Sequence, residues 1–215
     1  MRRCFLFTFI LWVIAQSLTI QGQESNVFTA SAIPDSIFER MLGKSYPQGC
    51  EVPRENLRYL RVAHYDLEGI ERVGEMVCNK AIAEDLLDIF RILHQSHYPI
   101  EQMRLIDDYG ADDDLSMSAN NSSCFCYRTI AGTARLSRHS LGMAVDINPL
   151  YNPYVRTVNG KSRIAPKKGE RYADRTLDYP YKITCDDLCT SLFLQHGFRW
   201  GGNWTNPKDY QHFEK

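Results

Sequence analysis

The sequence predicts a single α+β domain with a small antiparallel sheet flanked by helices. Three observations support this prediction. Residues 80–94 repeat apolar side chains at helical spacing, whereas residues 103–109, 125–130 and 143–147 are short segments with the character of strands. No internal repeat interrupts the pattern, and 215 residues suffice for one domain with a substantial core.

The helix over residues 80–94 is the clearest helical element of the sequence. Pro99 follows it and prevents its continuation. Its apolar positions recur three and four residues apart, which places them on one face. They are Ile82, Leu86, Ile89, Phe90 and Leu93.

The strand predictions rest on alternation and on turn residues. Residues 103–109 alternate, residues 110–123 read as a polar loop rich in Asp, Asn and Ser, and residues 125–130 form a second short strand. In the third strand, residues 143–147, Asp146 points to the face opposite Val145.

The C-terminal third contains a long connection and a second helix. Residues 149–181 include four prolines and are expected to be irregular, in the manner of a lid or binding wall. Thr184 with Asp187 resembles a capping box for a helix that ends at Gly197. Residues 200–204 then form a turn, and residues 209–214 close the chain.

The N-terminus has the composition of an export signal. Arg2 and Arg3 precede a twelve-residue apolar run, which is too short to span a bilayer comfortably. We therefore expect a signal peptide at 1–22, an N-terminal extension at 23–58 and the main domain at 59–215. The alternative is a buried N-terminal helix. The mature protein is expected to be periplasmic or secreted, without stable membrane insertion.

The net charge limits which partners are expected, and the number of cysteines indicates the cellular compartment. The formal net charge is −1 and no Lys/Arg block is present, so nucleic acid is not an expected partner. Six cysteines follow the leader, and an even number in an exported chain predicts disulfides between segments. The alternative is a structural zinc site. It would use Cys124, Cys126, Cys185 and Cys189.

Two segments together have the composition of a catalytic zinc site. His139 and Asp146 lie in the segment over 137–146, and His212 follows Asp209 near the C-terminus. Two imidazoles and one carboxylate can bind Zn²⁺ and leave one coordination position open for water. Gly142 permits a tight approach of the backbone between the first two ligands.

A peptidase of this kind needs a second carboxylate beside the water to accept its proton. Asp209, three residues before His212, is the candidate, on a neighbouring position of a turn or helix-like segment. The reverse assignment stays open, in which Asp209 or Glu214 is the ligand and Asp146 a supporting residue.

The pattern S-x-H-x-x-G-x-A-x-D followed by a late D-x-x-H resembles the zinc D-alanyl-D-alanine carboxypeptidase family of VanY and VanX types. Every fixed position of the first motif matches, and the resemblance covers residues 99–213. It implies one zinc ion on His139, Asp146 and His212, with Asp209 as the general base. Asp at that position is similar to the L-alanyl-D-glutamate endopeptidase branch, whereas the carboxypeptidase branch usually has Glu.

Other residues near these motifs are candidate substrate contacts. Arg128 stands where the family carries an Arg after a short aromatic strand, and a guanidinium suits a carboxylate or an oxyanion. A structural ion pair is the alternative for Arg128. Ser137, Trp204 and Tyr210 are further candidates for contact with the substrate, although a turn or core role is as consistent with the sequence.

The predicted function is therefore an exported zinc peptidase that cleaves peptidoglycan stem peptides, as an L-alanyl-D-glutamate-type endopeptidase. A D-alanyl-D-alanine carboxypeptidase and a non-catalytic cell-wall binding module are alternatives. A cysteine hydrolase using Cys124 or Cys126 with His139 is a third, which disulfide formation would exclude. The sequence carries no signal for the oligomeric state.

Overall fold

The computed structural model describes residues 27–130 and 133–215, and it confirms the α+β prediction for a single domain with small antiparallel sheets. The predicted leader at 1–22 lies outside the described residues. The boundary at residue 58 stays a prediction, although residues 29–31 of the extension pair with the strand that begins at Leu57.

The strands are short, apart from one long hairpin. In chain order they are β1 (Thr29–Ser31), β2 (Leu57–Tyr65), β3 (Glu71–Asn79), β4 (Gln102–Met103), β5 (Asn121–Ser122), β6 (Ala144–Asp146), β7 (Tyr154–Val158), β8 (Lys161–Ala165), β9 (Arg199–Trp200), β10 (Lys208–Asp209) and β11 (His212–Glu214). Their hydrogen-bonded orders are β1-β2-β3, β6-β11-β9 and β10-β7-β8, all antiparallel, with β4 and β5 forming a parallel pair.

Helices flank these sheets. The α-helices are α1 (Asp35–Met41), α2 (Ala83–Gln95), α3 (Asp113–Ser118) and α4 (Leu188–Gln195). Short 3-10 turns cover Arg54–Asn56, Ile106–Tyr109, Arg138–Leu141, Lys167–Tyr172 and Gly201–Asn203. Helix α2 confirms the helix predicted over 80–94, with its start three residues later. None of the helices in the described ranges is long and apolar enough to cross a membrane.

The main core forms between α2 and the β2–β3 hairpin. The apolar face of α2 is buried against one face of the hairpin, which contributes Leu60, Val62 and Met76. The same core continues into β6 and β11 through Val145 and Phe213, neither of which is exposed. The sheet that carries Asp146 and His212 is therefore anchored directly to the largest apolar cluster of the domain.

A second apolar cluster ties the N-terminal extension to the rest of the domain. Ile33, Met41 and Val52 of the extension are buried against Val77 of β3 and against Phe125. The N-terminal extension therefore fixes the segment that contains Phe125. Arg128, a candidate site residue, follows three positions later in the same segment.

Three sequence predictions between residues 103 and 130 were wrong in detail. Residues 103–109 extend only through Met103 and then turn, because Gly110 adopts φ +67° and closes the 3-10 turn before it. The polar segment after it contains α3, whose N-cap Asp112 accepts a hydrogen bond from the Leu115 N–H. Residues 125–130 form no strand, since their N–H groups bond to acceptors on several different segments.

Two further predictions are corrected in the C-terminal half. The connection over 149–181 is not irregular, because it contains the β7–β8 hairpin. Asn159 and Gly160 at its tip both have positive φ, which is the backbone that Asn-Gly favours in two-residue hairpin turns. Helix α4 is capped by Asp187, whose side chain accepts from the Cys189 N–H, and Thr184 does not cap it.

The predicted disulfides are not formed. Within the described ranges all six cysteines are free, and four of them are buried in the apolar interior as small hydrophobic side chains. The four are Cys78, Cys124, Cys126 and Cys189.

We expect Leu93→Ala in α2 to lower the free energy of unfolding by about 2–5 kcal/mol, because it leaves a cavity in the main core. Leu93 is 1% exposed, whereas its neighbour Ile92 is 37% exposed. Ile92→Ala is the matched control and should cost about 1 kcal/mol or less. Urea unfolding followed by circular dichroism measures both, and equal losses would contradict the proposed packing of α2.

Candidate metal centre

The register between β6 and β11 brings two candidate ligands face to face. His212 lies directly opposite Asp146 in this antiparallel pair, and Phe213 lies opposite Val145. Because side chains alternate along a strand, Phe213 and Val145 enter the core while His212 and Asp146 share the other face. The expected orientation of Asp146 away from Val145 is thus confirmed.

His139 reaches the same place from the 3-10 turn at Arg138–Leu141. Ser137 begins this turn, and its Oγ accepts from the His139 N–H over 3.3 Å. Gly142 ends the turn with φ +66°. A Cβ there would stand 2.6 Å from the Asn79 nitrogen, so only glycine lets the turn contact β3 this closely.

The side chains of His139, Asp146 and His212 converge on one point. His139 Nε2 lies 3.2 Å from His212 Nδ1 and 3.2 Å from Asp146 Oδ2, and His212 Nδ1 lies 3.0 Å from Asp146 Oδ1. In residues 27–130 and 133–215 no other group of three or more His, Cys, Asp or Glu side chains gathers in this way. The alternative four-cysteine site is therefore absent from the described part of the chain.

Each imidazole has one nitrogen that points away from the cluster, here called its outer nitrogen. A hydrogen-bond acceptor at this nitrogen fixes the orientation of the ring. His139 Nδ1–H donates to the Cys124 carbonyl over 2.6 Å, and His212 Nε2–H donates to Glu214 over 3.3 Å. A carbonyl can only accept, so Nε2 of neutral His139 carries the lone pair that faces the centre. In the neutral form of His212 that a metal ion would bind, the same reasoning leaves the lone pair on Nδ1.

Sequence reasoning assigned no supporting role to Cys124 and considered Glu214 mainly as an alternative ligand. The alternation of β11 carries the relevant signal, since residues two apart share a face. Glu214 is held in turn by Arg199, whose Nη2 lies 2.7 Å from Glu214 Oε1.

The arrangement fits a tetrahedral metal ion. Bonds of about 2.0–2.1 Å in a tetrahedron place neighbouring ligand atoms about 3.3 Å apart. The two imidazole nitrogens have close to this separation, and each lies at a similar distance from one of the two Asp146 oxygens. Two imidazole nitrogens and a carboxylate oxygen are donors that zinc accepts, and the outer-nitrogen hydrogen bonds are of the kind that orient metal ligands. The donor set of this site is therefore suited to zinc.

In the metal-free protein Asp146 and His212 form a charged pair. Burial opposes ionisation of Asp146, but the two imidazoles hold its pKa well below the usual range of a carboxyl group. Burial likewise opposes the charge of His212, yet the hydrogen bonds with Asp146 and Glu214 raise its pKa to about 10. His212 is thus protonated near neutral pH when no metal is bound.

Asp209 lies beside this cluster on a different sheet. The expected turn between Asp209 and His212 is not helix-like, since the two residues belong to β10 and β11. Burial, together with the charge of Asp146, raises the pKa of Asp209 to about 7, although His212 acts in the opposite direction. Its Oδ1 atom is buried and has no hydrogen-bond partner among the described residues.

Two features of the chain hold Asp209 in place. Strand β10 pairs with β7, so that Asp209 lies opposite Tyr154 of the hairpin in the long connection. Gly201 allows the other side to close, because a Cβ there would stand 2.6 Å from the Asp209 carbonyl oxygen and 2.8 Å from its Cβ. Position 201 therefore requires glycine, because a side chain there would collide with Asp209.

Arg128 faces the same region and forms an ion pair through its Nε with Asp113 of α3. Its N–H donates to Ser140 Oγ over 2.8 Å, which ties its backbone to the turn that carries His139. Although burial acts against its charge, the carboxylates of Asp113 and Asp146 raise its pKa. Arg128 therefore combines an ion pair with a position within electrostatic range of the cluster.

The remaining candidate residues have different surroundings. The ring of Trp204 lies 5.4 Å from the His212 imidazole, so it borders the cluster. Tyr210 packs beneath the guanidinium of Arg175 at 4.2 Å, and its carbonyl accepts from Trp200 Nε1. The Ser137 hydroxyl caps the turn of His139, as described above.

The geometry argues against a cysteine nucleophile. His139 contacts the backbone carbonyl of Cys124, while the Cys124 thiol lies 3.4 Å from the Gly142 carbonyl oxygen. Burial raises the pKa of Cys124 well above that of a free thiol and raises that of Cys126 to about 12. Reactive cysteines need a lowered pKa, so neither thiol is suited to nucleophilic attack.

We expect the zinc affinity of the metal-free protein to rise with pH. Zinc must displace the proton on His212, so the affinity should increase about tenfold for each pH unit below the pKa of that group. Asp146 is already ionised and adds nothing to this slope. Competition with a zinc-binding dye at about pH 6.5, 7.5 and 8.5 measures it, and a constant affinity would refute the assigned protonation state.

We expect Glu214→Ala to weaken zinc binding by about 10- to 100-fold, because it removes the acceptor that orients His212. Arg199→Gln is the matched control, since Arg199 contacts Glu214 but not the imidazole. It should change the affinity much less. Equal affinities of the wild type and Glu214→Ala, measured by the same competition, would show that Glu214 does not orient the ring.

Comparison with known proteins finds a match, and it covers the C-terminal part of the chain. Residues 131–215 match the family model described as D-alanyl-D-alanine carboxypeptidase, a segment that includes His139, Asp146, Asp209 and His212. No curated protein and no solved structure matches the chain. The segment over 131–215, which contains the converging His, Asp and His side chains, is thus similar to the D-alanyl-D-alanine carboxypeptidase family of peptidases.

Proposed function

We propose that this protein is an exported zinc peptidase that hydrolyses peptidoglycan stem peptides as an L-alanyl-D-glutamate-type endopeptidase. His139, Asp146 and His212 are the proposed zinc ligands, and Asp209 is the proposed general base. Arg128, Ser137, Trp204 and Tyr210 are proposed to line the substrate site.

One observation carries the proposal. His139, Asp146 and His212 come from three separate segments, and the two imidazole nitrogens lie 3.2 Å from each other and 3.0–3.2 Å from the two oxygens of Asp146. Asp209, which interacts electrostatically with this cluster, has a buried carboxyl oxygen that lacks a partner among the described residues. A merely structural cluster would have no need of such a carboxyl group, because leaving it unsatisfied costs free energy. A hydrolytic site needs one to move a proton.

Asp209 is suited to accept a proton from the attacking water and to pass it to the leaving amine. A general acid–base group works best when its pKa lies near the operating pH, and burial raises the pKa of Asp209 to about 7. The pairing of β10 with β7 and the contact with Gly201 hold its backbone, which favours one fixed position during the reaction.

Arg128 is proposed to donate hydrogen bonds to the scissile carbonyl or its neighbour as negative charge develops there. The ion pair with Asp113 restrains its side chain, and Ser140 restrains its backbone. Zinc, when bound, activates water and polarises a carbonyl group. A restrained donor needs little reorganisation during the reaction, which favours stabilisation of the transition state.

The choice of the endopeptidase rests on Asp209 itself. The resemblance described above associates Asp at this position with L-alanyl-D-glutamate cleavage and Glu with carboxypeptidases. A D-alanyl-D-alanine carboxypeptidase is the second candidate, and the description of the matching family model favours it. Export to the periplasm or the medium follows from the composition of residues 1–22 and from the location of the proposed substrate.

Digestion of purified sacculi by the zinc-loaded protein, with mass analysis of the released peptides, tests the function. We expect new N-terminal D-glutamate (or isoglutamine) and fragments that end in L-alanine. Release of single D-alanine residues would support the carboxypeptidase instead. Binding to sacculi without any new amine would indicate a non-catalytic binding module. Chelation should abolish activity, and zinc should restore it.

We expect Asp209→Asn to lower kcat by about 10²- to 10⁴-fold and to leave zinc binding intact, because the amide cannot accept the proton. Asp186→Asn, at an exposed position before α4, is the control and should behave as wild type. Peptide hydrolysis and zinc content measured on the same samples separate the two effects. Full activity of Asp209→Asn would exclude Asp209 as the base.

A further inference from the structure

The β7–β8 hairpin carries basic side chains and no acidic one, although the whole chain has a formal net charge of −1. Arg156 and Arg163, here called the arginine pair, lie directly opposite each other in the register of the two strands, and both are exposed. Like charges in directly opposite positions destabilise a hairpin. An anion bound between two guanidinium groups removes this repulsion, so the arginine pair is suited to an anionic partner.

The arginine pair lies on the face of its sheet that also carries Asp209. Directly opposite residues of an antiparallel sheet share a face, and so do residues two apart on one strand. Asp209 of β10 lies opposite Tyr154 of β7, and Arg156 follows Tyr154 by two positions. The proposed base, Tyr154 and the arginine pair therefore project from the same face of the sheet.

The electrostatic surroundings of Tyr154 agree with this arrangement. Burial raises the pKa of its hydroxyl group, and Asp209 adds to this shift, whereas the charges of the arginine pair oppose it. Tyr154 is thus within electrostatic range of both the proposed base and the arginine pair. It is partly buried, whereas the two arginines are exposed, so this face opens to solvent with distance from Asp209.

Contacts with the segment before β10 hold the hairpin in this position. The Thr157 N–H donates to Asn206 Oδ1 over 3.1 Å, and Asn206 Nδ2 donates to the Thr157 carbonyl over 2.8 Å. Thr157 follows Arg156 directly, so the backbone of the pair is tied to the segment that leads to Asp209. The usual spacings along and between strands place the Cα atoms of Asp209 and Arg156 about 8 Å apart.

We propose that Arg156 and Arg163 form a carboxylate-binding subsite for the substrate peptide, beyond the scissile bond. A guanidinium binds a carboxylate through its charge and its paired N–H groups. An extended peptide covers about 3.3–3.6 Å per residue, so the subsite is suited to a carboxylate two or three residues from the bond. This proposal rests on the proposed function and deepens it, because it assigns part of the substrate recognition to the hairpin.

The chemistry of the proposed substrate places such carboxylates on one side of the bond. An L-alanine with both ends in amide bonds has no free carboxylate. A glutamate that continues the chain through one carboxyl group keeps the other free, and the C-terminus of the peptide adds a further carboxylate. The subsite therefore belongs on the side of the leaving amine.

Matched peptides test the proposal on the zinc-loaded protein. They share the residues around the scissile bond, extend two or three residues beyond it, and end in a free carboxylate or in a carboxamide. We expect wild type to prefer the acid. In the double variant Arg156→Gln with Arg163→Gln the acid-to-amide ratio of kcat/KM should fall by about three- to tenfold, because the charge that attracts the carboxylate is gone. Most of the change should lie in KM, since the subsite is remote from the reacting atoms.

Further variants separate recognition from general effects of charge or folding. Lys167→Gln with Lys168→Gln removes the same charge from exposed positions outside the sheet and should leave the ratio unchanged. Replacement of both arginines by lysine keeps the charge and should retain most of the preference. Because the two arginines repel each other, their replacement by glutamine should not lower the free energy of unfolding in urea. An equal fall of the ratio in the lysine-to-glutamine control would overturn the proposal.

The remaining outcomes distinguish the proposal from the proposed function. Cleavage with an unchanged ratio in the arginine-to-glutamine variant refutes the subsite alone. The same holds if that variant loses only its binding to sacculi, because the hairpin would then dock on an anionic wall polymer. If the zinc-loaded wild type cleaves neither the peptides nor sacculi, the proposed function fails. The Kd of the labelled acid and amide peptides then decides: an acid preference that the variant loses supports the subsite, and equal Kd values overturn it.

Discussion

The candidate site depends on the hydrogen-bond register between β6 and β11. This register sets His212 opposite Asp146 and, in the same step, buries Phe213 opposite Val145. A slip of one residue would exchange the two faces, so that an imidazole would enter the core and a phenyl ring the site. The apolar core therefore selects the one pairing that brings the candidate ligands together, and stability and function share a single constraint.

Hydrogen bonds around the cluster determine which nitrogen of each imidazole faces a metal ion. The Cys124 carbonyl and the Glu214 carboxylate hold the outer nitrogens of the two imidazoles, which leaves the inner lone pairs directed at one point. Arg199 restrains Glu214 from outside. These partners come from positions with no motif of their own, yet they decide the tautomers on which metal binding depends.

The segments outside the family match surround the site and supply none of its candidate ligands. The N-terminal extension packs against Phe125, three residues before Arg128, and α3 supplies Asp113. Both lie before residue 131, where the match begins. In contrast, the β7–β8 hairpin lies inside the match and supports Asp209 through β10.

The sequence by itself determined the fold class and helix α2, because periodicity is a local property. The identity of the converging residues came from their donor chemistry and from the resemblance of their two motifs to a known family. His139, Asp146 and His212 were predictable on that basis, and so was the need for Gly142. The β2–β3 hairpin, α3, the β7–β8 hairpin and the unbonded state of the cysteines were not predicted, although the Asn159-Gly160 turn was a usable signal. Only the tertiary structure decided the pairing of Arg128 with Asp113. It also decided the contacts of Cys124 and Glu214 with the two imidazoles, because no sequence pattern relates these residues to their partners. Long-range register and packing, which no local pattern records, bring them into contact.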